Sequence, residues 1–261
     1  MKNIKDIKLY LLDMDGTIYL GNRLFDCTIP FLELLKSQGK EYIFLTNNSS
    51  KNRNVYVEKL AKMGIKAEPN DVFTSGEATT IYLNKIKKNA RIYLCGTPSL
   101  EQEFTEAGFI LTDENPDYAV LGFDMTLTYE KLCKICDFVR AGVPYIATHP
   151  DFNCPVEGGF IPDTGSMIAL IKASTGREPD LIIGKPNKSI VDAVIEKYHA
   201  NREEICMVGD RLYTDIALGA KAGISSILVL SGETTMEDLQ KSDVEPTFIF
   251  DDLSGIAEAI K

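Results

Sequence analysis

The sequence predicts an α/β fold built on a mostly parallel sheet. Short apolar runs alternate with longer amphipathic segments, and several of the runs end abruptly in a polar cluster. In chain order, strands are expected at 7–12, 42–46, 91–95, 118–122, 145–148, 181–183, 205–208, 226–230 and 247–250. Helical patterns fall between them at 29–37, 54–63, 76–87, 100–107, 129–141, 166–175, 189–198, 215–222 and 255–260. Open parallel sheets bind ligands beyond the carboxyl ends of their strands. Here the first run leads into Asp13-Met14-Asp15-Gly16-Thr17, the second into Thr46-Asn47-Asn48-Ser49, and a later one into Gly209-Asp210-Arg211. There is no internal repeat at solenoid periods and no low-complexity tract.

The 261 residues suffice for one large domain or two modest ones. Hydrophobic residues make up 44% and charged residues 25%, ordinary values for a globular chain. No apolar run approaches the ~20 residues needed to cross a bilayer. The start, Met1-Lys2-Asn3-Ile4-Lys5-Asp6, is too polar for a signal peptide. A cytoplasmic protein is therefore expected, with no membrane partner. The net charge is −10, with no basic stripe to bind nucleic acid. An anionic substrate remains open, because local charge decides that. The six cysteines are scattered and read as reduced thiols. Cys133 and Cys136 form a CxxC within a helical stretch that lacks a second such pair. Packing of two small helix residues is favoured there over redox or metal chemistry.

The polar clusters carry the chemistry. Residues two apart in an extended chain point the same way, so Asp13 and Asp15 can meet one site as the strand ends. Gly16 permits the turn, and Thr17 offers a hydroxyl and a backbone N–H; an acidic Asp-Gly turn would read the same. Asp210 directly follows an apolar strand, whereas Asp215 also suits the first turn of a helix. Three carboxylates at one rim repel, and a hard divalent cation with oxygen ligands resolves this, which suits Mg²⁺. Thr46-Asn47 offers uncharged donors for phosphate oxygens, or else a cap for the following helix. Lys185, held between Gly184 and Pro186, can neutralise a phosphate and a carboxylate, although loop lysines are commonly just solvated.

Together and in this order, these clusters resemble the four motifs of the haloacid dehalogenase (HAD) superfamily. Asp13-Met14-Asp15-Gly16-Thr17 is similar to the first, Thr46 to the second, Lys185 to the third, and Asp210 with Asp215 to the fourth. Leu45-Thr46-Asn47-Asn48-Ser49-Ser50, Gly184-Lys185-Pro186 and the stretch 208–216 further resemble the NagD-like, 4-nitrophenylphosphatase-type branch. That resemblance implies a Rossmann-like, doubly wound core at 1–77 and 183–261. An α/β cap domain for substrate specificity would be inserted at 78–182. It implies a Mg²⁺-dependent phosphatase of small-molecule phosphate esters, with sugar phosphates, nucleotides and 4-nitrophenyl phosphate as substrate classes. Asp13 would be the nucleophile that becomes an aspartyl phosphate, and Asp15 the general acid and base. Asp13, the Asp15 carbonyl and Asp210 would hold the metal, with Asp215 supporting its shell. Thr46, Asn47 and Lys185 would bind the phosphoryl group, with Gly16 and Asn48 also among the substrate- or phosphate-binding residues. The acid at Asp15 favours phosphate over halide chemistry. The competing readings are a phosphotransferase or mutase, a phosphate-binding protein with a decayed site, and a receiver-like signalling module. A receiver has no need of the large insert, and Asp15 beside the nucleophile invites rapid dephosphorylation. A homodimer would fit the family.

Within the implied cap, His149-Pro150-Asp151 and the stretch 157–166 stand out. Relatives usually carry Asn at the position of His149, which is expected to make a structural hydrogen bond at a strand end. Asp151 matches an acidic residue near the substrate pocket. Gly158, Gly159 and Gly165 suit a turn-rich loop or a hairpin. Asp163 is a departure from a commonly neutral position, and a carboxylate facing the pocket would accept sugar hydroxyls.

Overall fold

The computed structural model describes residues 3–156 and 158–261. Met1, Lys2 and Glu157, which figured in the N-terminal and loop readings, lie outside them. By its internal contacts the chain divides into two compact units. The first comprises Met1–Thr46, Tyr56–Phe73 and Lys185–Lys261, the second Asn47–Val55 and Thr74–Gly184. The loop after Thr46 thus groups with the second unit. Among the described residues, no helix is long and apolar enough to cross a membrane.

The first unit is organised around the strand Leu9–Leu12. It pairs in parallel with Glu41–Thr46 on one side and with Ile205–Gly209 on the other. Ser225–Val229 and Phe248–Phe250 continue the sheet, also in parallel, and Val72–Thr74 forms the opposite edge. The chain therefore moves outward from Leu9–Leu12 in one direction and later returns to its other flank. That reversal makes the carboxyl end of Leu9–Leu12 the topological switch point where such sheets bind ligands. Side chains alternate across the sheet. Tyr10, Leu12, Phe44, Cys206 and Val208 join a core with Phe31 and Leu35 of the helix Thr28–Ser37 and Ile256 and Ile260 of Leu253–Ile260. Leu9, Leu11 and Met207 point the other way and are also buried. Both faces are covered, which is why these strands read as continuous apolar runs.

The second unit carries its own five-stranded sheet, ordered Leu181–Ile182, Tyr145–Ala147, Tyr118–Leu121, Arg91–Cys95, Ile110–Leu111, with every pairing parallel. The helix Tyr129–Arg140, capped by Thr128, packs with Thr164–Thr175 over Tyr93, Cys95, Leu121 and Tyr145. The CxxC splits on that helix: Cys136 is buried in the core and Cys133 is exposed, so one cysteine packs and the other does not. The glycine-rich stretch is an antiparallel hairpin of Asn153–Val156 with Gly159–Pro162.

Several elements depart from the expected pattern. Val72–Thr74, Ile110–Leu111 and the ribbon Tyr19–Leu20/Arg23–Leu24 are additional short strands, and Met236–Gln240 is an additional short helix. The expected helix 215–222 begins with a π-helical stretch, Leu212–Ile216, before Ala217–Ala222. It carries Asp215 inward, fully buried.

Candidate active site

Asp13 is the first residue beyond its strand, and its N–H still donates to Val208 O at 2.9 Å. The chain then turns sharply, with Met14 O accepting from the N–H groups of Thr17, Ile18 and Tyr19. Gly16 sits in this turn at φ +86°, and a Cβ there would overlap the Asp210 carboxylate. Only glycine meets both demands.

Lys185 is 3% exposed and joins two of the carboxylates. Its Nζ donates to Asp13 Oδ1 at 2.5 Å and to Asp215 Oδ1 at 2.7 Å. Burial works to lower the Lys185 pKa, but Asp13 and Asp215 outweigh it and hold it above the ordinary lysine range. Asp210 is wrapped by the loop 231–234. Its Oδ2 accepts from Glu233 N–H at 2.7 Å and its carbonyl from Thr234 N–H at 3.2 Å. Its Oδ1 is buried without a hydrogen-bond partner. Carboxylate oxygens of Asp13, Asp210 and Asp215 lie within 4.8 Å of one another. Burial, then Asp13 and Asp215, push the Asp210 carboxyl up to about 7. Burial raises Asp215 to about 6 against the pull of Lys185. A buried acceptor with no donor, beside two more carboxylates and one ammonium, is the electrostatic imbalance that a hard divalent cation corrects.

Asp15 remains solvent-exposed at the rim. The protein around it still removes enough water to raise its pKa, with Lys59 the strongest opposing influence. Thr46 is buried at the end of its strand. The register pairs Leu12 with Phe44, which sets Thr46 two residues further along the same rim.

Asn47, Asn48 and Asp151 belong to the second unit. Asn47 Nδ2 donates to both Asp151 oxygens, at 3.2 and 3.1 Å, and Asn47 O accepts from the Ser75 hydroxyl. Asn48 Oδ1 accepts from Ser50 N–H at 2.9 Å, closing a local turn. His149 is fully buried, with Nε2 2.8 Å from Asp163 Oδ1 and Nδ1 2.9 Å from Thr148 Oγ1. This is the strand-end structural hydrogen bond expected of it. Asp163 is 3% exposed, and its Oδ1 is committed to the protein, bonded to His149 Nε2 and to Thr164 N–H as the cap of the helix Thr164–Thr175.

The first unit thus gathers Asp13, Gly16, Lys185, Asp210 and Asp215 at one strand-end site, with Asp15 and Thr46 on the same rim. Sequence reasoning missed Tyr19 and Lys59 beside Asp15 and the amide cradle of the loop 231–234. No motif marks them, since a backbone amide leaves no residue signature.

Comparison with known proteins adds an independent line. A family model described as haloacid dehalogenase-like hydrolase matches residues 10–110, and one described as HAD-hydrolase-like matches 182–256. The chain is 39% identical over 260 residues to an acid sugar phosphatase of Staphylococcus aureus (strain MRSA252), covering 99% of this chain and 100% of that one. It is similar to the crystal structure of a 4-nitrophenylphosphatase from Thermotoga maritima, with TM-score 0.96, 51% identity and 99% of each chain covered. NagD from E. coli K-12 matches with TM-score 0.89 and 32% identity over 95% of this chain and 97% of that one.

Proposed function

The chain belongs to the haloacid dehalogenase-like hydrolases, and from that membership we propose that it is a Mg²⁺-dependent phosphatase of small-molecule phosphate monoesters, sugar phosphates foremost, working through an aspartyl phosphate on Asp13. The observation that carries the reading is Lys185 bridging Asp13 and Asp215 beside the orphaned Oδ1 of Asp210. Sugar phosphates come first because two Staphylococcus relatives similar over nearly their whole length are named acid sugar phosphatases.

Asp13 attacks phosphorus, and the bond from phosphorus to the leaving oxygen breaks as the aspartyl phosphate forms. Asp15 gives its proton to that leaving oxygen. The raised pKa of its carboxyl helps keep a proton to give. Deprotonated Asp15 then takes a proton from water, which attacks the phosphoenzyme and releases inorganic phosphate and free Asp13. Lys185 holds Asp13 in place and offsets charge on the transferring group, and the Thr46 hydroxyl donates to a phosphoryl oxygen. Asp13, the Asp15 carbonyl and Asp210 would hold Mg²⁺, with Asp215 supporting its shell. The ion would supply charge neutralisation for the phosphoryl oxygens. From the second unit, Asn47, Asn48 and Asp151 are assigned to substrate recognition.

The test is phosphate release from 4-nitrophenyl phosphate and a panel of sugar and nucleoside phosphates, with Mg²⁺ or with chelator. Turnover should require Mg²⁺, and Asp13→Asn should lower kcat by roughly 10³-fold or more. Undiminished turnover by folded Asp13→Asn would overturn the mechanism.

A further inference from the structure

The two carboxylate oxygens of Asp210 stand in different surroundings. Oδ2 lies in a slot between two glycines, where a Cβ on either Gly16 or Gly232 would overlap it. There it accepts the Glu233 N–H at 2.7 Å. Oδ1 is buried and meets no donor. The carboxylate is therefore fixed in rotation, with one oxygen committed to the protein and the other left open.

Three more contacts hold the loop 231–234 against Asp210. Ser231 Oγ donates to Gly16 O at 2.8 Å, and Thr234 N–H to Asp210 O at 3.2 Å. The third is the Glu233 side chain. Its Oε1 accepts the Tyr213 hydroxyl at 2.9 Å, and its Oε2 forms an ion pair with Arg211, 3.0 Å from Nε. Arg211 and Tyr213 lie at the start of the π-helical stretch Leu212–Ile216, the one that carries Asp215 inward. Arg211 N–H donates to Asp215 Oδ2 at 3.2 Å. One carboxylate thus ties the loop that orients Asp210 to the turn that supplies Asp215, all within the first unit. The Glu233 amide and side chain share one Cα, so anchoring the carboxylate fixes where the N–H can stand. Without the anchor the exposed loop regains freedom, and Asp210 with it. Outer partners that orient metal ligands tune affinity in this way.

We propose that Glu233, gripped by Arg211 and Tyr213, is a positioning residue that holds Asp210 with Oδ1 open to the cation. The proposal rests on the Mg²⁺-dependent reading above and extends it to side chains that reading does not use. None of the three is assigned contact with substrate or ion. Their effect is on how tightly the ion binds, not on the chemistry that follows.

The test is Mg²⁺ binding to the metal-free protein by calorimetry, with Asp210→Asn as the baseline for binding elsewhere. Glu233→Ala should raise Kd roughly 10-fold, the lower end of what outer partners contribute. Tyr213→Phe, which changes no charge, should raise it about threefold, the weight of one hydrogen bond. Glu233→Gln should recover part of the alanine loss, since its amide oxygen still accepts from Tyr213. The double variant Glu233→Ala/Tyr213→Phe should bind no worse than Glu233→Ala alone, because one anchor can be broken only once. Glu233 and Tyr213 are exposed, so both single variants should melt like wild type in chelator. At saturating Mg²⁺ their kcat on 4-nitrophenyl phosphate should return to the wild-type value. Removing a carboxylate also weakens Mg²⁺ binding through space, and salt separates the two effects. In about 1 M KCl, where the Debye length is about 3 Å, the Glu233→Ala loss should persist. Unchanged Kd values, losses that vanish in salt, or additive losses would overturn the proposal. So would a lowered melting temperature in chelator or a kcat that stays depressed at saturating Mg²⁺, either of which would mean a merely structural role. A wild type that binds Mg²⁺ no more tightly than Asp210→Asn would instead take down the metal reading, and the proposal with it.

Discussion

Asp163 Oδ1 accepts from His149 Nε2 at 2.8 Å and from Thr164 N–H at 2.5 Å, so one oxygen serves a buried histidine and a helix end together. The sequence marks both residues as unusual for the family they resemble. Their meeting is not legible there, because fourteen residues and a hairpin separate them. The strand-end carboxylates are different. Asp13 and Asp210 end neighbouring parallel strands, and the order of apolar run and polar cluster already implies a common rim. Tyr19 and Lys59 escaped notice because their positions depend on the exact path of a turn and the rotation of a helix. For Asp163→Ala, the lost cap costs about 1 kcal/mol. Leaving buried His149 Nε2 without its acceptor costs about 1–3 kcal/mol more. Urea denaturation should therefore show a loss of roughly 2–4 kcal/mol. Asp163→Asn keeps an acceptor and should recover about half of that. The ranking of phosphate esters should stay that of the wild type. A reordered ranking would return Asp163 to the substrate, and a negligible stability change would deny the buried pair its structural weight.

The long amphipathic and apolar segments are readable as elements because each repeats its period several times. The short strands are not. Ile110–Leu111 has two residues, and its partner Arg91–Cys95 lies far back in the chain. In the hairpin, Pro155 and Gly159 disguise the pattern, and a two-stranded ribbon tolerates them where an inner strand would not. The helix Thr164–Thr175 illustrates a dependence that period alone cannot reveal. Its second residue, Gly165, donates its N–H to Asp151 O at 2.7 Å, and a Cβ there would overlap the Pro150 and Asp151 backbone. No rotamer change relieves a clash with main chain, so the helix end must move as a unit. Gly165→Ala should cost roughly 1–3 kcal/mol or more in urea denaturation despite alanine's better helix propensity. It should also loosen Asp151, whose carboxylate accepts both bonds from Asn47. Leu170→Ala, a partly exposed position on the same helix, is the control and should stay within about 0.5 kcal/mol of the wild type. Comparable losses at the two positions would show that the close approach at Gly165 is not what holds the helix end.

For the molecule as a whole, the acidic site links catalysis to stability. Unfolded aspartates titrate near 3.9, whereas folding pushes Asp210 up to about 7 and Asp215 up to about 6. Between those limits the folded chain retains protons that the unfolded chain has released. Stability from these two groups is thus fully present in acid and is lost as pH rises through their folded values. Asp117, Asp192 and Asp238 have pKa values held below the ordinary aspartate value, so they have finished titrating by pH 5 and add no opposing slope above it. The metal-free protein should therefore melt lower at pH 8 than at pH 5, by about 5 °C for a loss on the order of 2 kcal/mol. A divalent ion reverses the balance, because its ligands must be deprotonated to bind it. Mg²⁺ should raise the melting temperature markedly at pH 8 and little at pH 5. Asp210→Asn should flatten the metal-free slope and abolish the Mg²⁺ shift while leaving the Lys185 bridge between Asp13 and Asp215 in place. Thermal unfolding at the two pH values, with chelator or with Mg²⁺, decides the matter. A metal-free melting temperature that climbs from pH 5 to pH 8, or a Mg²⁺ shift of equal size at both, would mean that the three carboxylates are not the group through which this chain senses either protons or metal.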